Sequence, residues 1–162
     1  MEIRLLSPDE ISAALTVIHA GFLTAANEFG LTKENCPTNG AFLPMERLRK
    51  DWEGGVLAAG SFDRGRMTGY AQVRMTGDGC AELEKLCVLP EDRHAGAGAA
   101  LVKWAEKTAA DRGAQKLCIG IIEENARLKA WYTRLGFVHM GTQRFAFLPF
   151  TVGFMEKSLS MH

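Results

Sequence analysis

The spacing of hydrophobic positions changes several times along the chain, and each change predicts an element. Residues 2–6 (EIRLL) alternate as a short strand, and Ser7-Pro8-Asp9 reads as a helix start. Ile11, Leu15, Ile18, Phe22 and Ala26 then recur at helical spacing and mark one face of a long amphipathic helix that Gly30 ends. Residues 31–44 are rich in turn formers and predict a loop, followed by a short helix at Met45–Trp52 closed by Gly54-Gly55. Val56–Phe62 and Arg66–Met75 form a hairpin around Asp63-Arg64-Gly65. Gly77-Asp78-Gly79 makes a second turn, and Cys80–Leu89 is a third strand ended by Pro90, so these strands predict an antiparallel meander.

A helix over Gly96–Arg112 follows, with Gly113 as its C-cap, then a strand at Gln115–Ile122. A helix at Asn125–Leu135 stops at Gly136, and strands at Phe137–Phe145 and Phe150–Lys157 finish the pattern. This order predicts an α+β fold: a single mixed β-sheet of about seven strands with helices on both faces. The strand–helix–strand unit from residue 80 to 122 is expected to be parallel and right-handed. No repeat, low-complexity tract or linker divides the chain, so residues 1–162 read as one domain.

Composition narrows the function classes. Hydrophobic residues make up 47% and charged residues 23%, as in ordinary globular proteins. Nineteen Lys and Arg balance 19 Asp and Glu, which argues against the basic footprint of a nucleic-acid binder. No apolar run approaches the ~18 residues of a membrane span, and MEIRLLSPDE lacks the features of a signal peptide. Cys36, Cys80, Cys87 and Cys118 show no metal-ligand spacing and read as reduced thiols of a cytoplasmic protein. His19, His94, His139 and His162 are scattered, and no metal is expected.

The candidate chemistry begins at Arg93-His94-Ala95-Gly96-Ala97-Gly98, between a strand and a helix. A helix start offers unpaired N–H groups and the positive end of the helix dipole to an anion. Gly96 and Gly98 allow close approach of the main chain, and Arg93 offers a charged donor to phosphate oxygens. A Walker A loop would need Gly-Lys-Ser/Thr, but Ala99-Ala100 follow Gly98. A dinucleotide fingerprint would need Gly or Ala where Leu101 stands, with its glycines directly after the strand.

The stretch from Glu82 to Leu101, with Val88-Leu89-Pro90 and Arg93-His94-Ala95-Gly96-Ala97-Gly98, resembles the acetyl-CoA motif of the GNAT N-acetyltransferase superfamily. A second signature, Asn125 through Trp131-Tyr132 to Gly136-Phe137, is similar to the superfamily's Asn-x-x-x-x-x-Phe/Trp-Tyr-x-x-x-Gly-Phe stretch. The order of elements along the whole chain fits the superfamily, although His94 and Ala95 stand where Gly, Arg or Lys is frequent.

The resemblance implies an acetyl-CoA-dependent N-acetyltransferase acting by direct attack in a ternary complex. It assigns the diphosphate to the amides of His94, Ala95, Gly96, Ala97, Gly98 and Ala99, with the Arg93 side chain as a charged donor beside them. The pantetheine arm falls to Cys87, Val88 and Leu89, one of whose amides is the oxyanion donor, and Asn125 also contacts the arm besides capping its helix. Tyr132 shares a helix face with Leu128 and Leu135, and the resemblance makes it the thiolate acid or hydrogen-bond donor. Glu82 and Glu84 alternate onto one face of their strand and are the candidate proton acceptors for the amine, with Glu84 preferred. Cys87 has no identifiable His or Asp partner, so it reads as a buried thiol rather than a nucleophile.

The superfamily's acceptor region corresponds to Glu28–Arg47 and Phe145–Phe154, which contain Glu28, Glu34, Cys36, Phe42, Phe145, Phe147 and Phe150. These residues fit a small-molecule or peptide amine without naming it; dimers are common in the family, so a homodimer is one option and the oligomeric state stays open. The rival expectation is a non-catalytic acyl-CoA-binding sensor of the same fold, which Tyr132 and the paired glutamates disfavour.

Overall fold

The computed structural model describes residues 1–159, so His162 lies outside the described residues. Strand β1 (Glu2–Leu5) passes through a single 3-10 turn at Pro8–Glu10 into α1 (Ile11–Glu28). The Ser7 N–H donates to Glu10 Oε1 at 2.9 Å, and Arg4 grips the same carboxylate with two 2.9 Å bonds, fixing the entrance to α1. A loop containing a 3-10 turn at Gly40–Phe42 leads to α2 (Met45–Glu53). The meander is β2 (Leu57–Asp63), β3 (Arg66–Met75) and β4 (Cys80–Val88). Then come α3 (Ala97–Asp111), β5 (Lys116–Ile122), α4 (Ala126–Arg134), β6 (Val138–Arg144) and β7 (Thr151–Ser158). Every element expected from the sequence is present, with ends displaced by a residue or two.

The strands form one seven-stranded sheet in the order β1-β2-β3-β4-β5-β7-β6. Among the described residues only β4 and β5 pair in parallel; the other neighbours are antiparallel. The last hairpin folds back so that β7 lies between β5 and β6, an arrangement that local patterning did not disclose.

Helices cover both faces. On one, Ala14, Val17 and Ile18 of α1 and Leu48 of α2 pack with Ala58, Tyr70 and Cys87. On the other, Leu101, Val102, Ala105 and Ala109 of α3 and Tyr132 of α4 pack with Ala71, Val73, Leu83, Leu117 and Ile119. A third cluster joins Leu31, Cys36 and Phe42, from the end of α1 and its following loop, to Leu148 and Phe150 before β7. These buried apolar side chains supply the main drive for folding, at roughly 1.5–3 kcal/mol for each large one fully removed from water.

The approach of α1 to β4 depends on one small residue. A Cβ at Gly21 would lie 2.7 Å from Cys87 Cβ and 2.9 Å from its Sγ, closer than real side chains come. Gly21→Ala restores about 1 kcal/mol of helix propensity, but overpacking costs about 1–3 kcal/mol. We expect a net loss of about 1 kcal/mol in urea unfolding; an unchanged or raised midpoint would show that α1 can shift outward freely.

Candidate active site

The site begins where β4 leaves β5. Their parallel pairing covers only Cys80–Glu82 against Lys116–Cys118. Beyond it, β4 stays on β3 and β5 stays on β7, opening a wedge between the two strands. A bulge lies at the opening: Gln72 faces Glu84 and Tyr70 faces Cys87, so Lys85 and Leu86 together oppose Ala71. Lys85 adopts φ 57°, unusual for a residue with a Cβ, and its Nζ pairs with Asp51 Oδ2 at 3.2 Å. The extra residue reverses the side-chain alternation. Leu83 packs beneath α3, whereas Cys87 packs beneath α1.

The end of β4 settles which amide faces the wedge. The Leu89 N–H donates to Thr68 O at 2.8 Å, towards β3. Strand alternation therefore turns the Val88 N–H the other way, towards the open side, with Cys87 on the side of Leu89. Among the three amides named from the sequence, Val88 is the one placed to meet a ligand in the wedge.

The start of α3 flanks this opening. His94 and Gly96 take left-handed conformations, φ 68° and 90°, and Gly96 occupies the N-cap position without a side-chain cap. The helix ladder begins only with the Ala100 N–H donating to Gly96 O at 3.0 Å. Among the described residues, no protein acceptor meets the N–H groups of His94, Ala95, Gly96, Ala97, Gly98 or Ala99. This exposed run of donors at a helix start suits a diphosphate. A Cβ at Gly98 would stand 3.3 Å from the Trp131 ring and 3.9 Å from Val88 Cγ2, so the loop, α4 and the end of β4 converge there.

Arg93 departs from its expected place. Its guanidinium donates to Val88 O at 3.2 Å, Thr24 Oγ1 at 3.3 Å and Gly21 O at 2.9 Å, and its amide donates to Pro90 O at 3.4 Å. The side chain proposed as a phosphate donor thus braces β4 against α1.

Tyr132 projects from α4 into the cluster that contains Leu86, Val88, Ile119 and Ile121 from the two sides of the wedge. Its ring stacks edgewise with Trp131 at 4.9 Å and Phe137 at 5.3 Å. The hydroxyl bonds no group among the described residues, where no fully buried side-chain oxygen goes unpaired, so its tip remains accessible. Burial pushes the phenol pKa upward, which keeps the proton on oxygen at neutral pH. Asn125 caps α4, its Oδ1 accepting from the Leu128 N–H at 3.2 Å.

The two glutamates differ sharply in their surroundings. Glu84 accepts from Gln72 Nε2 at 2.9 Å and pairs with Arg74 at 3.2 Å. Arg74 also reaches Asp51 at 3.0 Å, and a chain of bonds runs from Gln72 through Tyr70 to Trp52. Burial alone would raise the Glu84 pKa, but the bonds from Arg74 and Gln72 and the nearby cations outweigh it and lower it. Desolvation, then the hydrogen bond and charge of Glu84, move Glu82 upward. The Glu84 carboxylate is committed to Arg74 and Gln72, which weakens its hold on a proton relative to that of Glu82.

The sequence reading missed Asp51, Gln72, Arg74 and Lys85. Gln72 and Arg74 carried a signal, two polar residues alternating with the apolar Ala71, Val73 and Met75; Asp51 carried none. In the acceptor segments, Glu28 pairs with Arg127 at 2.8 Å, Cys36, Phe42 and Phe150 join the third cluster, and Phe145 and Phe147 stack at 5.5 Å with Phe147 outermost. Glu34 is exposed. Among the described residues no helix is long and apolar enough to cross a membrane, and no His, Cys, Asp and Glu group of three or more forms a metal set.

A mixed sheet whose parallel pair opens beside an uncapped helix start makes an α+β fold with an anion-accepting opening between β4 and β5. The profile of the Acetyltransferase (GNAT) family matches residues 28–137, and the chain belongs to that family. Uncharacterised N-acetyltransferases of Mycobacterium bovis and Mycobacterium tuberculosis are 40% identical over 81 residues, 50% of this chain and 52% of theirs. The match thus spans about half the length of those curated relatives. The PaiA N-acetyltransferase of Thermoplasma acidophilum, solved with coenzyme A, superposes with a TM-score of 0.81 at 21% identity, covering 97% of this chain and 98% of that one. The ribosomal-protein-S18-alanine N-acetyltransferase of Escherichia coli gives 0.78 at 19% identity, covering 99% and 95%. At these identities the likeness concerns the fold.

Cys87 is buried, as the sequence suggested. It is 7% exposed, and burial pushes its thiol up to about 12. Since the thiolate is the reactive form, iodoacetamide at about pH 8 should leave Cys87 unmodified in the native protein and label it after unfolding. Peptide mass mapping that finds prompt native labelling would return Cys87 to consideration as a nucleophile.

Proposed function

We propose that the chain is an acetyl-CoA-dependent N-acetyltransferase of the cytoplasm that acetylates a primary amine of a small molecule or peptide by direct attack in a ternary complex. The observation that carries this reading is the run of unpartnered amides from His94 to Ala99, opening beside the β4–β5 wedge. Acetyl-CoA supplies the thioester, with its diphosphate on those amides and its pantetheine arm along β4.

The remaining work belongs to the protein. The Val88 amide faces the place where carbonyl charge develops, a preorganised donor that needs no rearrangement. Tyr132, protonated and with an accessible tip, donates to the departing sulfur. Glu82 accepts the proton of an ammonium that is only about 0.04% neutral at pH 7. Its neighbour Glu84 favours this role, because a fixed negative charge makes Glu82 the better proton acceptor. The burial of Cys87, which disfavours its thiolate, supports direct transfer rather than a covalent relay.

Thiol release from acetyl-CoA across a panel of amines, polyamines, aminoglycosides and peptide N-termini tests the activity. Tyr132→Phe should keep coenzyme binding in calorimetry while turnover falls at least about tenfold; unchanged turnover removes Tyr132 from the mechanism. Glu82 works deprotonated, so activity should rise with pH through a limb displaced above the ordinary glutamate value of 4.5. Glu82→Gln should abolish that limb, and a surviving limb would exclude Glu82 as the base.

A further inference from the structure

We infer that Arg93 is a positioning residue for the end of β4, acting on the acyl end of the site rather than on the phosphates. This rests on the reading of the site as acyltransferase. All three guanidinium nitrogens have protein partners: Nε on Val88 O at 3.2 Å, Nη1 on Thr24 Oγ1 at 3.3 Å and Nη2 on Gly21 O at 2.9 Å. Val88 O belongs to the peptide unit whose N–H, that of Leu89, donates to Thr68 O at 2.8 Å. One peptide plane is therefore held from both sides of the strand, by β3 on one and Arg93 on the other. The preceding peptide carries the Val88 N–H and shares the Val88 Cα with it. Fixing one plane limits the rotation that would aim the other away from the wedge.

The anchor for this brace is α1. Gly21 and Thr24 lie about a turn apart on α1, and at Gly21 the helix comes close to Cys87. A planar, five-donor guanidinium can bridge three acceptors on two elements; an ammonium on a flexible stem cannot hold the same three directions. Arg93 thus joins the helix on the acceptor side, the strand beside the thioester and the loop that receives the diphosphate.

A donor lacking the diphosphate separates this role from a grip on phosphate. Wild type, Arg93→Ala and Arg93→Lys are assayed with acetyl-CoA and with S-acetylpantetheine, while calorimetry follows coenzyme A binding and thermal unfolding follows the folded fraction. Per folded molecule, Arg93→Ala should lose about tenfold in kcat with both donors. Its Kd for coenzyme A should stay within about twofold, and Arg93→Lys should fall between. A loss below about threefold with S-acetylpantetheine, or a weakened Kd with kcat kept, overturns the inference. If Arg93→Ala does not fold, Arg93→Gln carries the same comparison. A wild type inactive with acetyl-CoA on every amine would instead reject the acyltransferase reading itself.

Discussion

The site depends on a strand that gives up one neighbour. A fully paired β4 would bury its ladder groups against β5 and leave nothing for a ligand to bond. Pairing stops at Glu82 and Cys118, and the bulge at Lys85 supplies the bend. Holding a lysine at φ 57° costs on the order of 1–3 kcal/mol, and the Lys85–Asp51 ion pair, in which both side chains are mostly shielded, helps to offset it. The bulge also sets which side chains face α1, so the same irregularity opens the wedge and seats Cys87 in the core.

The charged groups around β4 follow from that geometry. Asp51, Glu84, Arg74 and Lys85 form a set of two acids and two bases whose hydrogen bonds link α2 to β3 and β4. Being balanced, the set holds its partly buried charges with no net charge. Glu82 stands beside it as an additional carboxylate and feels Glu84 as a like charge. Two glutamates two positions apart on one face of the strand thereby acquire opposite tendencies to bind a proton.

Much of this was legible in the sequence where the signal was local. The turns Asp63-Arg64-Gly65 and Gly77-Asp78-Gly79, the helical spacing from Ile11 to Ala26 and the glycines before α3 each act within a few residues, and the elements they imply are present. What escaped was set by partners distant along the chain. Arg93 meets Thr24 and Gly21 across separations of 69 and 72 residues, and Glu84 meets Asp51's network through Arg74 and Gln72. No local rule marks Lys85 for a left-handed backbone, and nothing in the order of strands announces that β7 enters between β5 and β6.

The helix starts make the clearest contrast within the molecule. Asn125 caps α4 with its own side chain, Asn39 caps the 3-10 turn at Gly40–Phe42, and Ser7 and Glu10 close the approach to α1. At α3 a glycine in left-handed conformation takes the cap position and leaves the donors bare. Replacing a capping side chain typically costs about 1 kcal/mol, so an uncapped start is a local loss of stability that the rest of the fold must absorb. A serine or aspartate at Gly96 would meet a backbone poorly suited to it, and its oxygen would occupy the donors that an anion needs. Among the described residues α2 also starts without a side-chain cap, on Pro44, but the bare start of α3 is the one that lies beside the wedge, where a bound diphosphate can satisfy its donors.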